Sequence, residues 1–429
     1  MQNISAFVAG ENRYFDRLTP GRALAASYLF WLFVFVLAPV DPRWSNVFTG
    51  YMLIALSLMG LAVGFFMPDA LHLNIAPIRF SERACKNAIF LCVTIGMLGL
   101  MFKLYDIFAL RGVELDQNVI INRIVSARTE SNGISVLAAM LLPFSTAALL
   151  IAWYARRMGY ISRIGLWPIA SGLAPVGIPF LFASRSGLLY FLVIMAVAFV
   201  NLAKHLRIRH ILLFATVAII SLTLFAFVFI NRVERSGQTL LYAARLSVYT
   251  QVVPLQGWAL NAIDSSGDSG PVLAGYASLL QYAISGMFEF LYLVELKNED
   301  FAWGANTFFF LPKIYDVLFN SGNVASNQLA ILVLNPRSGV FQTMFGGLYL
   351  DFGMFLPLVC AVFGFAIGLI RLSVRAGNVF AFPLYALFLS QILLASMLDS
   401  LNASAAILSN LMYFLLFLVG TRFGKSAIA

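Results

Sequence analysis

The sequence predicts an all-α polytopic membrane protein, and three observations carry that fold class: composition, the spacing of long apolar runs, and the placing of Lys and Arg between them. Of 429 residues, 61% are hydrophobic and 11% are charged, and the mean hydropathy is +0.87. Soluble domains lie nearer roughly 45–50% apolar and 25% charged. About 20 apolar residues cross a hydrocarbon core of roughly 30 Å, so the chain has room for about 10–12 transmembrane helices and one sizeable loop.

Apolar runs of spanning length occur at about 22–40, 47–67, 87–106, 134–154, 164–182, 187–203, 211–230, 350–370, 378–398 and 402–420. Residues 231–338 mix polar and apolar side chains. They contain an amphipathic segment at about 272–296 and the aromatic run Phe308-Phe309-Phe310. Amphipathic or re-entrant helices are expected there, because irregular backbone at membrane depth must be buried in protein or line a wet cavity. The domain organisation is therefore a single transmembrane domain over 1–429, with 231–338 inserted as a large periplasmic loop. The polar first 21 residues precede an apolar run without an A-x-A cleavage signature, so the first helix is expected to be retained.

Orientation follows from the short loops, where Lys and Arg mark the cytoplasmic side. With both termini cytoplasmic, every inside loop is basic. Arg13, Arg17, Arg22, Arg79, Arg83, Lys86, Arg156, Arg157, Arg163, Lys204, Arg207, Arg209, Arg371, Arg375, Arg422 and Lys425 fall there, with only Glu11, Asp16, Asp69 and Glu82 among the 19 acids. The bases left outside then draw interest: Arg43, Lys103, Arg111, Arg123, Arg128, Arg185, Arg232, Arg235, Arg245, Lys297, Lys313 and Arg337.

Arg185 sits in Ala183-Ser184-Arg185-Ser186-Gly187 between two apolar runs with almost no loop to solvate it. A charge near membrane depth costs roughly 2.5–3.5 kcal/mol and seeks an anionic partner. That partner is either a carboxylate at a helix end or an anionic substrate. Arg123 and Arg128 stand five residues apart beside polar side chains, and Arg232, Arg235 and Arg245 open the long outer loop. Guanidinium groups stay charged and grip phosphate oxygens bidentately, which suits a pyrophosphate, while a solvated turn facing lipid headgroups is the plainer alternative. Glu234 is placed to neutralise one arginine of the loop, which leaves Arg245 the better phosphate candidate.

Gln281, Ser285, Glu289 and Tyr292 share one helical face opposite Leu280, Ile284, Met287 and Leu291. Glu289 on a cavity wall would accept a proton from a sugar hydroxyl; on an interfacial helix it would stand in water. Amides and aromatics from Trp303 to Asn335 suit sugars, and turns collect the same residues. Asp351 at the outer end of a span is expected to snorkel, to pair with Arg337, or to take part in catalysis. The three cysteines build neither a disulfide framework nor a thiolate metal site. His72, His205 and His210 all fall in cytoplasmic loops, and no Walker loop or Rossmann fingerprint occurs. No metal, cofactor or nucleic-acid partner is expected.

The chain resembles the O-antigen polymerases, or oligosaccharide repeat unit polymerases. The likeness rests on layout and on three patches: Ala183-Ser184-Arg185-Ser186-Gly187, the stretch from Tyr282 to Tyr292, and Arg337-Ser338-Gly339-Val340-Phe341-Gln342-Thr343 leading to Leu350-Asp351-Phe352-Gly353. It covers roughly 180–355. The resemblance implies a GT-C-like fold in a bacterial inner membrane, with an active site on the periplasmic face. There, a hydroxyl of an incoming undecaprenyl-diphosphate-linked repeat would attack the anomeric carbon of the growing chain, releasing undecaprenyl diphosphate without a metal. It further implies catalytic roles for Arg185, Arg245 and Glu289, and substrate contacts from Arg123, Arg128, Arg232, Arg337, Tyr282 and Tyr292. A chain-length regulator and a flippase of the same pathway are the implied partners. The alternatives are a transporter or flippase of an anionic lipid-linked oligosaccharide, an O-antigen ligase-like transferase, and a non-catalytic membrane scaffold of a polysaccharide assembly. Lipid-A-core ligases of similar layout use an outward histidine that this chain lacks.

Overall fold

The computed structural model describes residues 17–42, 48–113, 132–178, 185–203, 248–296, 300–308, 343–399 and 404–426, together with 207, 208, 212, 216, 220, 223, 227, 315, 316, 319, 333–335 and 337. Among the described residues every regular element is helical, and one isolated antiparallel bridge joins Val40 to Leu255. In chain order the main helices are α1 (Pro20–Leu37), α2 (Phe48–Ala70), α3 (Glu82–Tyr105), α4 (Gly133–Leu141), α5 (Pro143–Arg157), α6 (Leu166–Leu173), α7 (Arg185–Leu202), α8 (Gly257–Ser265), α9 (Gly270–Glu295), α10 (Met344–Phe352), α11 (Leu356–Arg375), α12 (Ala381–Leu393) and α13 (Ser404–Ser426).

Among the described residues six stretches are long and apolar enough to cross a bilayer: Pro20–Leu37, Phe48–Ala70, Glu82–Leu110, Gly133–Arg157, Gly270–Glu295 and Met344–Arg375. They make this a multi-pass membrane protein. Large apolar side chains such as Leu29, Phe33, Phe66, Phe90, Leu358 and Val362 are at least half exposed on these helices. In water such a surface would aggregate; in lipid it is solvated.

One expected span is interrupted and another is shorter than its apolar run. The run at 164–182 forms α6, a 3-10 turn over Ala174–Val176 where Pro175 supplies no N–H to continue the α-helical ladder, and helix again at 177–178, beyond which 179–182 lie outside the described residues. The run at 378–398 ends its helix at Leu393. There the chain turns to meet α1: Ser27 and Ser396 hydroxyls lie 2.7 Å apart, and Met344 N–H donates to Ala395 O. Of the run at 211–230 only Leu212, Thr216, Ile220, Thr223 and Phe227 are described, all helical and exposed. The segment expected at 272–296 is α9, a continuous 26-residue helix.

Helices α2 and α11 form the closest pair. A Cβ added to Gly60 would lie 2.3 Å from Pro357 O, one on Gly64 1.9 Å from Ala361 O, and one on Gly364 2.2 Å from Leu61 O. Gly60-x3-Gly64 and Gly364-x3-Gly368 therefore oppose each other. Small residues let membrane helices approach until van der Waals contact and weak Cα–H···O bonds replace the hydrophobic drive that lipid cannot give.

The bundle has two chemically distinct ends. At one, Arg371 Nη1 reaches Asp69 at 2.7 Å and Arg375 reaches the same carboxylate at 3.6 Å. Nearby, the Tyr160 hydroxyl donates to Ile78 O at 2.9 Å and lies 3.3 Å from Gly377 O, which ties three interhelical loops together. Burial of that phenol, the largest influence on it, pushes its pKa up to about 12. Leu18 N–H donates to Asn201 Oδ1 at the close of α7. This end therefore carries Arg17, Arg79, Arg156, Arg157 and Arg163, as the loop-charge reading expects. The other end holds the close of α1 at Val40, the start of α2 at Gly50, the segment around Val253–Leu255, and α10.

Candidate functional site

The second half of α9 builds the site. Trp31 Nε1 donates to Ile284 O at 3.3 Å, and Phe288 tilts against Trp31 and Phe35 with centroids 6.0 and 5.7 Å away. Leu291 packs on Gly50, and Phe290 meets Tyr349 edge-on at 5.9 Å. All of these contacts lie in the half of the bundle away from the basic end. Both faces of α9 are covered: Ile284, Met287 and Leu291 are buried, and so are Gln281, Ser285 and Glu289. The expectation that Glu289 stands in water on an interfacial helix is therefore corrected. Its side chain is 3% exposed.

What covers the polar face is protein. Gln281 Nε2 donates to Val253 O at 2.6 Å, and Tyr249 meets Tyr282 edge-on at 6.0 Å. Arg337 closes the far end. Its Nε donates to Glu289 Oε2 at 2.8 Å and its Nη2 to Glu289 Oε1 at 2.7 Å, a parallel fork of two charge-assisted bonds. The guanidinium also lies 5.7 Å from the Tyr292 ring centroid and donates through Nη1 to Gln251 Oε1. Asn335 Oδ1 accepts from the Arg337 backbone N–H at 3.2 Å, fixing the turn that presents it. A carboxylate, a guanidinium, two tyrosines and an amide thus converge, largely out of solvent.

Four of the nine residues singled out from the sequence, Glu289, Arg337, Tyr282 and Tyr292, belong to this one neighbourhood. Arg185 opens α7, and since Asn201 at the close of α7 lies at the basic end, residue 185 lies at the site's end of the bundle. Its side chain is outside the described residues, as are Arg123, Arg128, Arg232 and Arg245 altogether. Gln251 and Tyr249 were not foreseen; no local pattern marks them, because their partners lie on α9 and in the turn at Arg337.

Asp351 does not pair with Arg337. Its two oxygens accept the backbone N–H groups of Asn306 at 2.9 Å and Thr307 at 2.7 Å, while Asn306 Nδ2 donates to Gly347 O at 3.0 Å. Asp351 is fully buried and clips the 301–308 loop onto α10. A second buried carboxylate, Asp106, takes Lys103 at 3.2 Å and Arg111 at 3.1 Å, so those two outward bases have an internal counter-ion. Among the described residues no three His, Cys, Asp or Glu side chains come together.

No protein-family model, curated protein or solved structure matches the chain.

Proposed function

We propose that the protein is a membrane glycosyltransferase that polymerises oligosaccharide repeats carried on undecaprenyl diphosphate, working at the end of the bundle away from the basic loops. The observation that carries this reading is Arg337, a largely buried guanidinium aligned by Glu289 at that end. By the positive-inside rule the end faces the periplasm of a bacterial inner membrane. A cation in a water-poor site stabilises the charge that develops on a departing diphosphate, the kind of interaction that contributes most to transfer reactions.

Both oxygens of Glu289 are occupied by Arg337, so Glu289 serves first as a positioning residue. When Arg337 turns to the diphosphate, the carboxylate is uncovered and accepts the proton of the attacking hydroxyl. The new bond joins that oxygen to the anomeric carbon, and the bond to the diphosphate oxygen breaks with its electron pair. Arg185 and Arg245 are the further diphosphate contacts of this reading, with Arg123, Arg128 and Arg232 at its margin. Tyr282 and Tyr292 are the aromatic substrate contacts of this reading.

The test is reconstitution of the purified full chain with a synthetic undecaprenyl-diphosphate repeat, resolving products by gel with and without chelator. A chelator-resistant ladder, lost in Arg337→Ala and Arg185→Ala, is expected. No ladder, with the lipid-linked sugar instead crossing the bilayer, overturns the reading in favour of a transporter.

A further inference from the structure

Helix α3 has two faces of different purpose. Cys85, Ile89, Cys92, Gly96 and Gly99 recur at helical spacing and are buried, and a Cβ on Gly96 would lie 2.3 Å from Ser145 N, so this face is locked onto α4 and α5. Phe90, Met97 and Met101 lie on the other face, and Phe90 and Met101 are 71% and 64% exposed. That face is not a plain lipid-facing surface. With Trp167 and Pro168 of α6 opposite, and Ala152 and Ile161 as floor, it forms a lateral groove of about 740 Å³. The volume is within the roughly 300–1,000 Å³ of ligand pockets.

Charge is confined to one end of this groove. Among the described residues Lys86 and Arg163 are its charged lining residues, and both belong to the basic end of the bundle. Lys86 pairs with Glu82 at 2.8 Å, but both side chains are more than half exposed. Such a pair is weak and exchanges readily for another anion. The remaining lining, apart from Thr94 and the glycine backbone, is apolar for the fifteen residues from Lys86 to Met101, about 22 Å of helix. Half of a hydrocarbon core is about 15 Å. A chain whose headgroup sits at Lys86 can therefore run its full leaflet depth inside the groove.

We infer that this groove is a binding site for an anionic phospholipid of the leaflet at the basic end, with the phosphate held by Lys86 and Arg163 and one acyl chain lying between α3 and Trp167. The inference stands apart from the transferase reading, since the groove opens at the basic end, opposite the Glu289–Arg337 pair.

Trp167 is the built-in reporter. The full chain is reconstituted in phosphatidylcholine vesicles containing a small fraction of phosphatidylglycerol brominated along its acyl chain, or the same fraction of brominated phosphatidylcholine. The Trp167 signal is the fluorescence difference between the native chain and Trp167→Phe. Brominated phosphatidylglycerol is expected to half-quench that signal at a mole fraction about fivefold lower or better, the factor one cation contributes near an anionic headgroup. In Lys86→Gln/Arg163→Gln the two quenching curves are expected to merge. Arg422→Gln, at the same end but outside the groove, is expected to keep them apart. Coincident curves for the native chain overturn the inference, as does an equal loss of preference in Arg422→Gln, which would reduce it to general surface charge.

Discussion

Replacing Glu289 by Ala removes both acceptors of the Arg337 fork and leaves a guanidinium whose side chain is only 10% exposed. Stranding one member of a buried ion pair costs about 3–5 kcal/mol. The Gln251 carbonyl and the Tyr292 face stay in place, which sets the expectation at the lower end, about 3 kcal/mol. Glu289→Gln keeps one acceptor, so it should lose about 2 kcal/mol, the weight of one hydrogen bond to a charged group. Glu289→Leu combined with Arg337→Met removes both charges and should cost less than either single change, because the desolvation of both ions is removed with them. The assay is reversible unfolding of the purified chain in mixed micelles by titration with a denaturing detergent, followed by tryptophan fluorescence. The same variants in the elongation assay separate stability from function: the double variant should fold and make no ladder. A loss under 1 kcal/mol for Glu289→Ala would refute the argument, since it would mean that water screens the pair and that nothing holds Arg337 in a water-poor site.

Three other changes test the fold. Gly64→Ala places a methyl carbon on Ala361 O and should destabilise the chain by about 1–3 kcal/mol through overpacking, whereas Gly21→Ala, with open space around it, should be silent in the same titration. Asp351→Asn gives up charge-assisted acceptance from Asn306 and Thr307; limited proteolysis should cut within 301–308 faster than in the native chain, and an unchanged rate would show that the carboxylate does not hold the loop. The Tyr160 phenol ionises in the fold only near 12, above its ordinary 10, so its stabilising contribution is whole below pH 10 and disappears as pH rises through about 12. The unfolding midpoint should fall over that window, and Tyr160→Phe should flatten this part of the profile.

Much of the architecture was legible because bilayer physics writes it into composition. Uninterrupted apolar runs mark α1, α2, α3 and α11, and the arginines at 79, 156, 163, 371 and 375 fall at one end of the bundle, where the loop-charge reading puts them. What hydropathy could not supply was where a helix stops. Pro175 interrupts one helix, and α12 stops at Leu393 short of the Ser27–Ser396 contact, both inside runs that remain apolar. The glycine pair of α2 and α11 left no mark on hydropathy either, since glycine there acts by lacking a side chain.

The site was half legible. Spacing put Gln281, Ser285, Glu289 and Tyr292 on one face, and that face is real. Periodicity cannot say whether a polar face meets water, a ligand or another segment, and here it meets the 248–255 stretch and Arg337. The fork between Glu289 and Arg337 spans 48 positions, too far for any local pattern. Asp351 shows the converse: its acidity was visible, but its partners are backbone N–H groups, which no sequence pattern reveals.

The interlocked glycines of α2 and α11 bear on how the molecule can move. With carbonyl oxygens of one helix seated where side chains would stand on the other, neither can slide or roll without collision, so the pair behaves as a single rigid spar. Asp69 with Arg371 clamps that spar at the basic end, and its far extension, α10, carries Tyr349 against Phe290 beside Glu289. On the proposed polymerase reading, any motion that passes the product on has to come from parts outside this pair, over a floor that stays still.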